Sequence, residues 1–549
     1  MAVQLGQPII ILKDTNRIKG REALSNNIMA AKAVAEAIRT TLGPRGMDKM
    51  LVDGSGDVTI TNDGVTILRE LDIQHPAAKM LVEVAKTMDD EVGDGTTTAV
   101  VIAGKLLEYA EELLNQQLHP SIIAHGYRMA AEKAGEILNK IAYTVTQDDA
   151  LLNIAKTSMT GKGIEGAKDK LADIAVKAVK SIVDEEDGKK VVDIDNIKIV
   201  KKVGLSIDES EIVKGIALDK DKAHHDMPDK IENARIALIT RPIEFSKMEL
   251  DAEIKISSAD ELQRYLDQEE EIVKGIVDRI AASGANVVLC QLGIEELAQH
   301  YLAKHNILAV EQIEKKDIEK IARAIGAKLI TSVDDFSASD LGSAGRVEIR
   351  GYGENKMLYI TECSNPRAVS IILKGGTEHV VDSAERGVED ALRAVGTVME
   401  DEKLVAGAGS PEVEVALRLM EYASTLKGKE QLAVMKFSEA IEVIPKTLAE
   451  NAGLDSIDIL VELRSQHEKG NKDAGLNIMG SVEDVWKKGI VEPLRMKIQA
   501  INSAAEAAIM ILRIDDVLAS TASEEQEKET CAPGAPCDAM GSMGDMGMM

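Results

Sequence analysis

The feature that most constrains this chain is a change of apolar rhythm that happens twice. Near the start, Leu24, Ile28, Ala31, Val34, Ala35 and Ile38 recur at helical spacing, which predicts an amphipathic helix over residues 22 to 41 that stops at Leu42-Gly43-Pro44. Lys49 to Val52 and Asp57 to Thr61 then flank Asp53-Gly54-Ser55-Gly56, the pattern of a hairpin, and a helix-rich stretch runs on to about Lys140. From Ile236 the texture differs: short apolar runs at Ile236 to Ile239, Val287 to Cys290, Ile307 to Val310 and Lys328 to Ile330 alternate with helical patterns. That alternation predicts a parallel α/β unit. Helical spacing returns from about Ala406 to Leu518. After Ser520 the chain turns to Gly, Met, Ala and acidic residues, so roughly the last 25 are expected to form a mobile tail.

A chain of 549 residues with 45% apolar content is long enough for about three domains with real cores. Aromatic residues make up only 2%, so those cores must be aliphatic and base-stacking platforms are excluded. The 93 acidic residues against 65 basic ones leave a formal charge of −28, which repels phosphate backbones and argues against nucleic acid as a partner. No apolar run reaches the length of a membrane span, and Pro8 to Leu12 lacks a basic start and a cleavage site, so a cytoplasmic location without membrane contact is expected. Cys290, Cys363, Cys531 and Cys537 form no metal-type pair, and His224-His225 lacks the helical spacing of a zinc pair, so no structural metal is expected.

There is no Walker loop, so a nucleotide site would need another phosphate cradle. Gly93-Asp94-Gly95-Thr96-Thr97-Thr98 precedes an apolar helix, where glycines allow close approach and the first turn presents unpaired N–H groups to an anion. Asp94 would repel phosphate and is suited to a divalent cation; from spacing alone, it and the threonines serve equally as helix caps. Thr61-Asn62-Asp63-Gly64-Val65-Thr66 reads as a strand turning into a helix, either placing Asp63 at a ligand or acting as ordinary turn chemistry. Thr157 to Gly163 is a small-residue loop whose Lys162 either reaches a phosphate or sits in solvent. Asp390 falls off the apolar stripe formed by Val381, Ala384, Val388, Ala391, Leu392 and Val395, and periodicity makes it a solvated carboxylate. Gly407-Ala408-Gly409-Ser410 is a further short flexible loop.

Taken in order, Thr41 to Met50, Thr61 to Thr66, Gly93 to Thr98, Thr160-Gly161-Lys162, Val388 to Leu392, Gly407 to Gly409, Leu448 to Gly453, Ala474 to Asn477, Glu492-Pro493 and Leu512 to Asp516 resemble the motif series of the group II chaperonins of the TCP-1/cpn60 family. The resemblance spans roughly residues 10 to 520. It implies a multidomain α/β chain: a mostly helical equatorial ATPase domain from 1–146 and 406–522, a small α/β intermediate domain from 147–216 and 369–405, and an α/β apical domain at 217–368 with a helical protrusion. A disordered Gly/Met tail would occupy 523–549.

The resemblance further implies that the chain is an ATPase using ATP and Mg²⁺. Gly43, Gly93, Asp94, Gly95, Thr96, Thr97 and Thr98 would cradle the phosphates, with Asp94 on the metal and Lys162 sensing the γ-phosphate, and Leu42, Pro44, Thr160 and Gly161 would also line the nucleotide. Asp63 and Asp390 would activate water, while Gly409, Gly475, Asn477, Glu492 and Lys497 would meet the ribose and adenine. Partners would be unfolded or partly folded proteins and copies of the chain, or close paralogues, in stacked rings.

Within residues 245–280, Ser258-Ala259-Asp260-Glu261 reads as a capping box opening a helix with Leu262, Leu266, Val273, Ile276, Val277 and Ile280 on one face. The resemblance makes this segment a built-in lid that needs no separate cap protein; by periodicity it is equally a surface helix packed on its own domain. Ala408 stands where the family pattern has glycine, which matters only if that residue needs a positive φ. Two other classes compete with a folding chamber: a protein-binding ring scaffold with little ATP turnover, and a small-molecule kinase or dehydrogenase built on the α/β middle. The latter lacks any strand-linked GxGxxG.

Overall fold

The computed structural model describes residues 15–145, 148–186, 188–245, 259–331, 337–352, 355–363 and 368–520. It opens on β1 (Thr15–Lys19) and α1 (Gly20–Arg39), and α1 buries the same six residues whose spacing predicts it, together with Asn27. β2 (Lys49–Val52) and β3 (Val58–Thr61) form the expected hairpin, with Met50 opposite Ile60. Four helices follow: α2 (Gly64–Glu70), α3 (Pro76–Glu91), α4 (Thr96–Asn115) and α5 (Pro120–Ile141). α3 and α5 start in the same way: His75 and His119 each accept an N–H bond at Nδ1, and the proline after each lacks the donor that the first turn could not satisfy. α4 is buried on nearly every side, from Ala99 to Leu113, and packs against α1, α3 and later helices. A helix apolar all round belongs at the centre of a core, and each fully buried Leu or Ile there contributes roughly 1.5–3 kcal/mol.

After β4 (Tyr143–Thr144) come α6 (Asp148–Ser158), α7 (Lys168–Ile182), a small hairpin of β5 (Asp184–Glu186) and β6 (Lys189–Val191), and the strands β7 (Ile197–Val203) and β8 (Glu211–Leu218). The middle of the chain contributes β9 (Lys230–Ile239), α8 (Ala259–Ala282), β10 (Val287–Cys290), α9 (Glu296–Lys304), β11 (Leu308–Val310), α10 (Lys315–Ile325), β12 (Leu329–Ile330), β13 (Gly342–Tyr352) and β14 (Asn355–Cys363). Then β15 (Val369–Gly375) leads to the long α11 (Glu378–Asp401) and β16 (Lys403–Ala406). The chain closes with α12 (Ser410–Thr425), α13 (Glu430–Ile441), α14 (Val443–Asn451), α15 (Ser456–Glu468), β17 (Ala474–Leu476), β18 (Val482–Asp484), β19 (Val491–Pro493), α16 (Leu494–Leu512) and β20 (Asp516–Ser520).

Three large hydrophobic cores result. The first is built from α1–α5, α12–α14 and α16, so it draws on both ends of the chain, and β1 pairs antiparallel with β20. The second lies among α6, α7, α11 and one face of β7 and β15, and the third entirely within residues 216–360. A nine-stranded sheet in the order β11-β10-β9-β13-β14-β8-β15-β7, with β12 also on β9, joins the second core to the third.

The expectation of a parallel unit needs correction: β9 to β12 are parallel, as their apolar runs predict, but β13, β14 and β8 run antiparallel. Only two residues separate β13 from β14, too few for the crossover that parallel neighbours require. β8 passes from one core to the other. Its first half pairs with β15 and its second with β14, and the change falls at Gly215, whose φ of +140° and whose missing Cβ, 2.1 Å from the Ile360 carbonyl oxygen, admit no other residue without a shift.

Of the expected lid, residues 246–258 lie outside the described residues, as do the side chains of Leu262 and Leu266. The far half of α8 packs on its own body, burying Val273, Val277 and Ile280 in the third core.

Candidate functional site

A cavity of about 390 Å³ lies between the first core and the second. Its floor is the N-terminus of α4. Gly95 caps that helix with φ +81° and no side-chain hydrogen bond, so Thr96, Thr97 and Thr98 present first-turn N–H groups and hydroxyls to the cavity. The capping alternative for Asp94 is not what the fold adopts. Asp94 Oδ1 accepts from the adjacent Gly95 N–H at 2.7 Å, and Oδ2 accepts from Ser158 Oγ at 3.3 Å, at the cavity wall.

Asp63 adopts the turn reading and also faces the cavity. It caps α2, with Oδ2 accepting from the Thr66 amide at 2.8 Å and the Thr66 hydroxyl at 2.7 Å, while the residue lines the cavity. Its neighbour Asn62 donates to the Gly161 carbonyl and so ties this turn to the loop after α6. In that loop Thr160, Gly161 and Lys162 all face the cavity, and the Ser383 hydroxyl on α11 donates to the Lys162 carbonyl.

The Lys162 ammonium contacts the Asp390 carboxylate, with the two side chains 16% and 18% exposed. Asp390 is therefore not the solvated carboxylate that periodicity predicts. It lies off the stripe that packs into the second core, but the first core stands on that other side, so the direction that should have led to water leads into a cavity.

The opposite wall comes from the two chain ends. Leu42, Gly43 and Pro44 follow α1, and Asn451 of α14 holds the Leu42 carbonyl at 2.8 Å. Gly409 caps α12 at φ +80°, Asn477 bonds to Glu483, and Glu492 Oε1 accepts from the Ala408 N–H at 3.3 Å. Lys497 lies beneath, bonded to Glu412 at 2.8 Å and to Glu492 at 2.5 Å. Burial works to lower the Lys497 ammonium, but Glu412 and then Glu492 outweigh it and hold the group above the ordinary lysine value. Glu492 is pushed above the usual carboxylate range by burial, helped by Glu412 and Asp94 and opposed by Lys497, because two carboxylates share one cation.

Two expected residues stand behind this wall. Gly93, at φ +74°, lies against the stem of Arg393, whose Cδ is 1.9 Å from where a Cβ would sit. Gly475 in β17 packs on Val485 and the Ala408 carbonyl. Sequence reasoning also missed cavity residues. Lys168 bonds the Thr160 hydroxyl and is lowered by burial, against the pull of Glu165 and Asp169; it opens α7 with no motif around it. Asn153 and Lys156 enter from α6, where helical spacing alone gives them no distinction. The small-residue loop was the one available signal for Ser158.

The arrangement places four carboxylates (Asp63, Asp94, Asp390 and Glu492), several lysine ammonium groups and a helix N-terminus around one space, a set suited to a polyanion carried with a divalent cation. Asp63, Asp94 and Asp390 are hard oxygen donors, and this donor set fits Mg²⁺.

The chain belongs to the TCP-1/cpn60 chaperonin family, whose model matches residues 34–522. Its fold is that of a group II chaperonin, a multidomain α/β architecture: the solved open-state monomer of a group II chaperonin from Methanococcoides burtonii matches with a TM-score of 0.61 at 50% identity, covering 77% of this chain and 100% of that one. Among its relatives, thermosome subunit beta of Archaeoglobus fulgidus is 57% identical over 531 residues, 96% of this chain and 97% of that one. A thermosome subunit of Methanopyrus kandleri is 56% identical over 94% of this chain and 95% of its own. No helix among the described residues is long and apolar enough to cross a membrane.

Proposed function

We propose that this chain is an ATP-hydrolysing chaperone subunit that encloses non-native proteins in a chamber of stacked rings, built from copies of itself or close paralogues in the cytoplasm. In this reading 1–146 and 406–522 form the equatorial ATPase domain, 147–216 and 369–405 the intermediate hinge, and 217–368 the apical domain with its lid at about 245–280. The observation that carries it is convergence on one cavity: Asp63, Asp94 and Thr96 to Thr98 belong to the first core, while Lys162 and Asp390 belong to segments of the second.

Thr96, Thr97 and Thr98 would hold the phosphates through N–H groups and hydroxyls, as anions sit at other helix N-termini. Mg²⁺, held by Asp94, would neutralise phosphate charge. Lys162 would exchange its contact with Asp390 for the γ-phosphate, which frees that carboxylate. Asp63 and Asp390 then align the attacking water. Its oxygen bonds to the γ-phosphorus as the bond from that phosphorus to the bridging oxygen breaks, and its proton passes to Asp390. Because α11 carries Asp390, turnover would require the second core to close on the first. Swinging such an equilibrium from 1:99 to 99:1 takes about 5.5 kcal/mol of differential binding.

The test compares wild type with Asp390→Ala, measuring ATP binding, phosphate release and protease cutting between Phe245 and Ile280. The variant is expected to bind ATP within about tenfold of wild type, to release phosphate about 10²–10⁴-fold more slowly, and to lose the nucleotide-dependent protection of that window. Normal turnover by Asp390→Ala would remove Asp390 from the chemistry. Equal cutting of wild type with and without ATP would favour a passive ring scaffold.

A further inference from the structure

Far from this cavity, three of the chain's nine histidines gather on one surface of the third core. His224, His225 and Asp226 lie in the turn between β8 and β9, where one ligand atom from each falls within 4.8 Å of the others. His300 approaches from α9, its ring centroid 6.2 Å from that of His224. The expectation against a metal here rested on helical spacing, but these residues are not on a helix, and their turn brings the His224 and His225 rings to 4.4 Å between centroids.

The separations fit an ion. Asp226 Oδ1 is 3.2 Å from His225 Nε2, and Oδ2 is 3.8 Å from His224 Nδ1. Donors about 2.0–2.1 Å from a tetrahedral zinc ion stand about 3.3–3.4 Å apart, between the two observed values. The turn is also held in place before any ion arrives. The Ala223 amide donates to the Ala309 carbonyl of β11 at 2.8 Å, Met227 is buried with its sulfur accepting from the Ala309 amide, and the Met227 amide donates to the His224 carbonyl at 3.2 Å. His224 Nδ1 accepts only a 3.2 Å bond from the Asp226 amide, a weak contact that coordination would replace.

We propose that His224, His225 and Asp226 form a binding site for a borderline divalent cation of the zinc, nickel or cobalt class, with the neighbouring His300 of α9 swinging in as the fourth ligand. Two or more imidazoles with one carboxylate select such ions over Mg²⁺ and Ca²⁺, which prefer all-oxygen shells. Because the ligands come from a turn and from α9, the ion would clamp that turn to the helix on the outer face of the sheet edge that ends at β11.

The full-length protein is titrated with Co²⁺, read by its visible absorption, and with Zn²⁺, read by calorimetry, in buffer containing excess Mg²⁺ to occupy oxygen-only sites. Wild type is expected to take up one equivalent per chain that His225→Ala and Asp226→Asn lose or bind at least about tenfold more weakly. His300→Ala is expected to weaken the same equivalent. All three side chains lie on the surface and outside the cavity, so thermal melting should show the variants folded. Equal uptake by wild type and the His225→Ala and Asp226→Asn variants, or no uptake by wild type, would overturn the site. Unchanged affinity in His300→Ala would overturn the clamp to α9.

Discussion

Ala408 holds φ +56°, a left-handed conformation that an ordinary side chain adopts at a penalty of roughly 1–2 kcal/mol. It stays there because both of its backbone groups are engaged, the amide with Glu492 and the carbonyl with the Leu476 amide at 3.1 Å. Ala408→Gly removes the steric term but adds unfolded-state entropy, so a net stabilisation of up to about 1 kcal/mol is expected in chemical denaturation. The two cysteines within the described residues carry a different expectation. Burial raises the Cys290 and Cys363 thiols from 9.0 to about 11. The stability they contribute is therefore complete below pH 9 and is lost as pH rises through about 11, where the unfolded chain gives up these protons more readily. Alkylation of these two thiols should accordingly stay slow at neutral pH and accelerate across that window, which peptide mapping after brief labelling checks.

At the scale of elements, α11 was only half legible. Its apolar stripe was readable because periodicity reports the side that packs. Asp390 was not, because periodicity cannot say whether the other side meets water or another core. The same blindness covered Arg393, one turn further on, which donates to the Asp89 and Asp90 carbonyls at the end of α3 and lies over Gly93. Gly93 thus makes room for an arginine that fastens α11 beside the loop carrying Asp94. Gly93→Ala would push that arginine away. Gly93→Ala and Arg393→Ala are each expected to slow ATP turnover about tenfold, and the double variant should be no slower than either alone, since both remove one contact. Additive losses in steady-state phosphate release would show that Gly93 acts on the phosphates directly. The Gly93 to Thr98 loop was legible as a candidate because a glycine pair directly before an apolar helix stands out in the sequence, whereas Lys168 carried no pattern at all.

For the whole molecule, the alternation of rhythms revealed the α/β middle, but nothing local announces that β1 will pair with β20, or that Arg17 will meet Asp516 across 499 positions. Pairing at that distance leaves no trace in a window of a few residues. The cores differ accordingly in what they need. The third draws its buried residues from 216–360 alone, so a fragment of 211–368, which keeps β8 whole, is expected to fold alone with a cooperative thermal transition. A fragment of 15–145 lacks α12–α14 and α16, which complete the first core, and is expected to remain without near-ultraviolet dichroism until 406–520 is supplied.

The β1–β20 ladder has a further consequence for synthesis. As the chain leaves the ribosome, its first strand and first five helices must wait, with the apolar faces that α12–α14 and α16 will cover still open, while roughly 250 intervening residues are made and the α/β middle folds. Only when α12–α16 and β20 emerge can the first core close, and with it the wall of Leu476, Asn477 and Glu492. A nascent chain therefore has a finished α/β surface well before it has a finished cavity, and the subunit passes through a stage in which it needs the kind of shelter that its family provides to others.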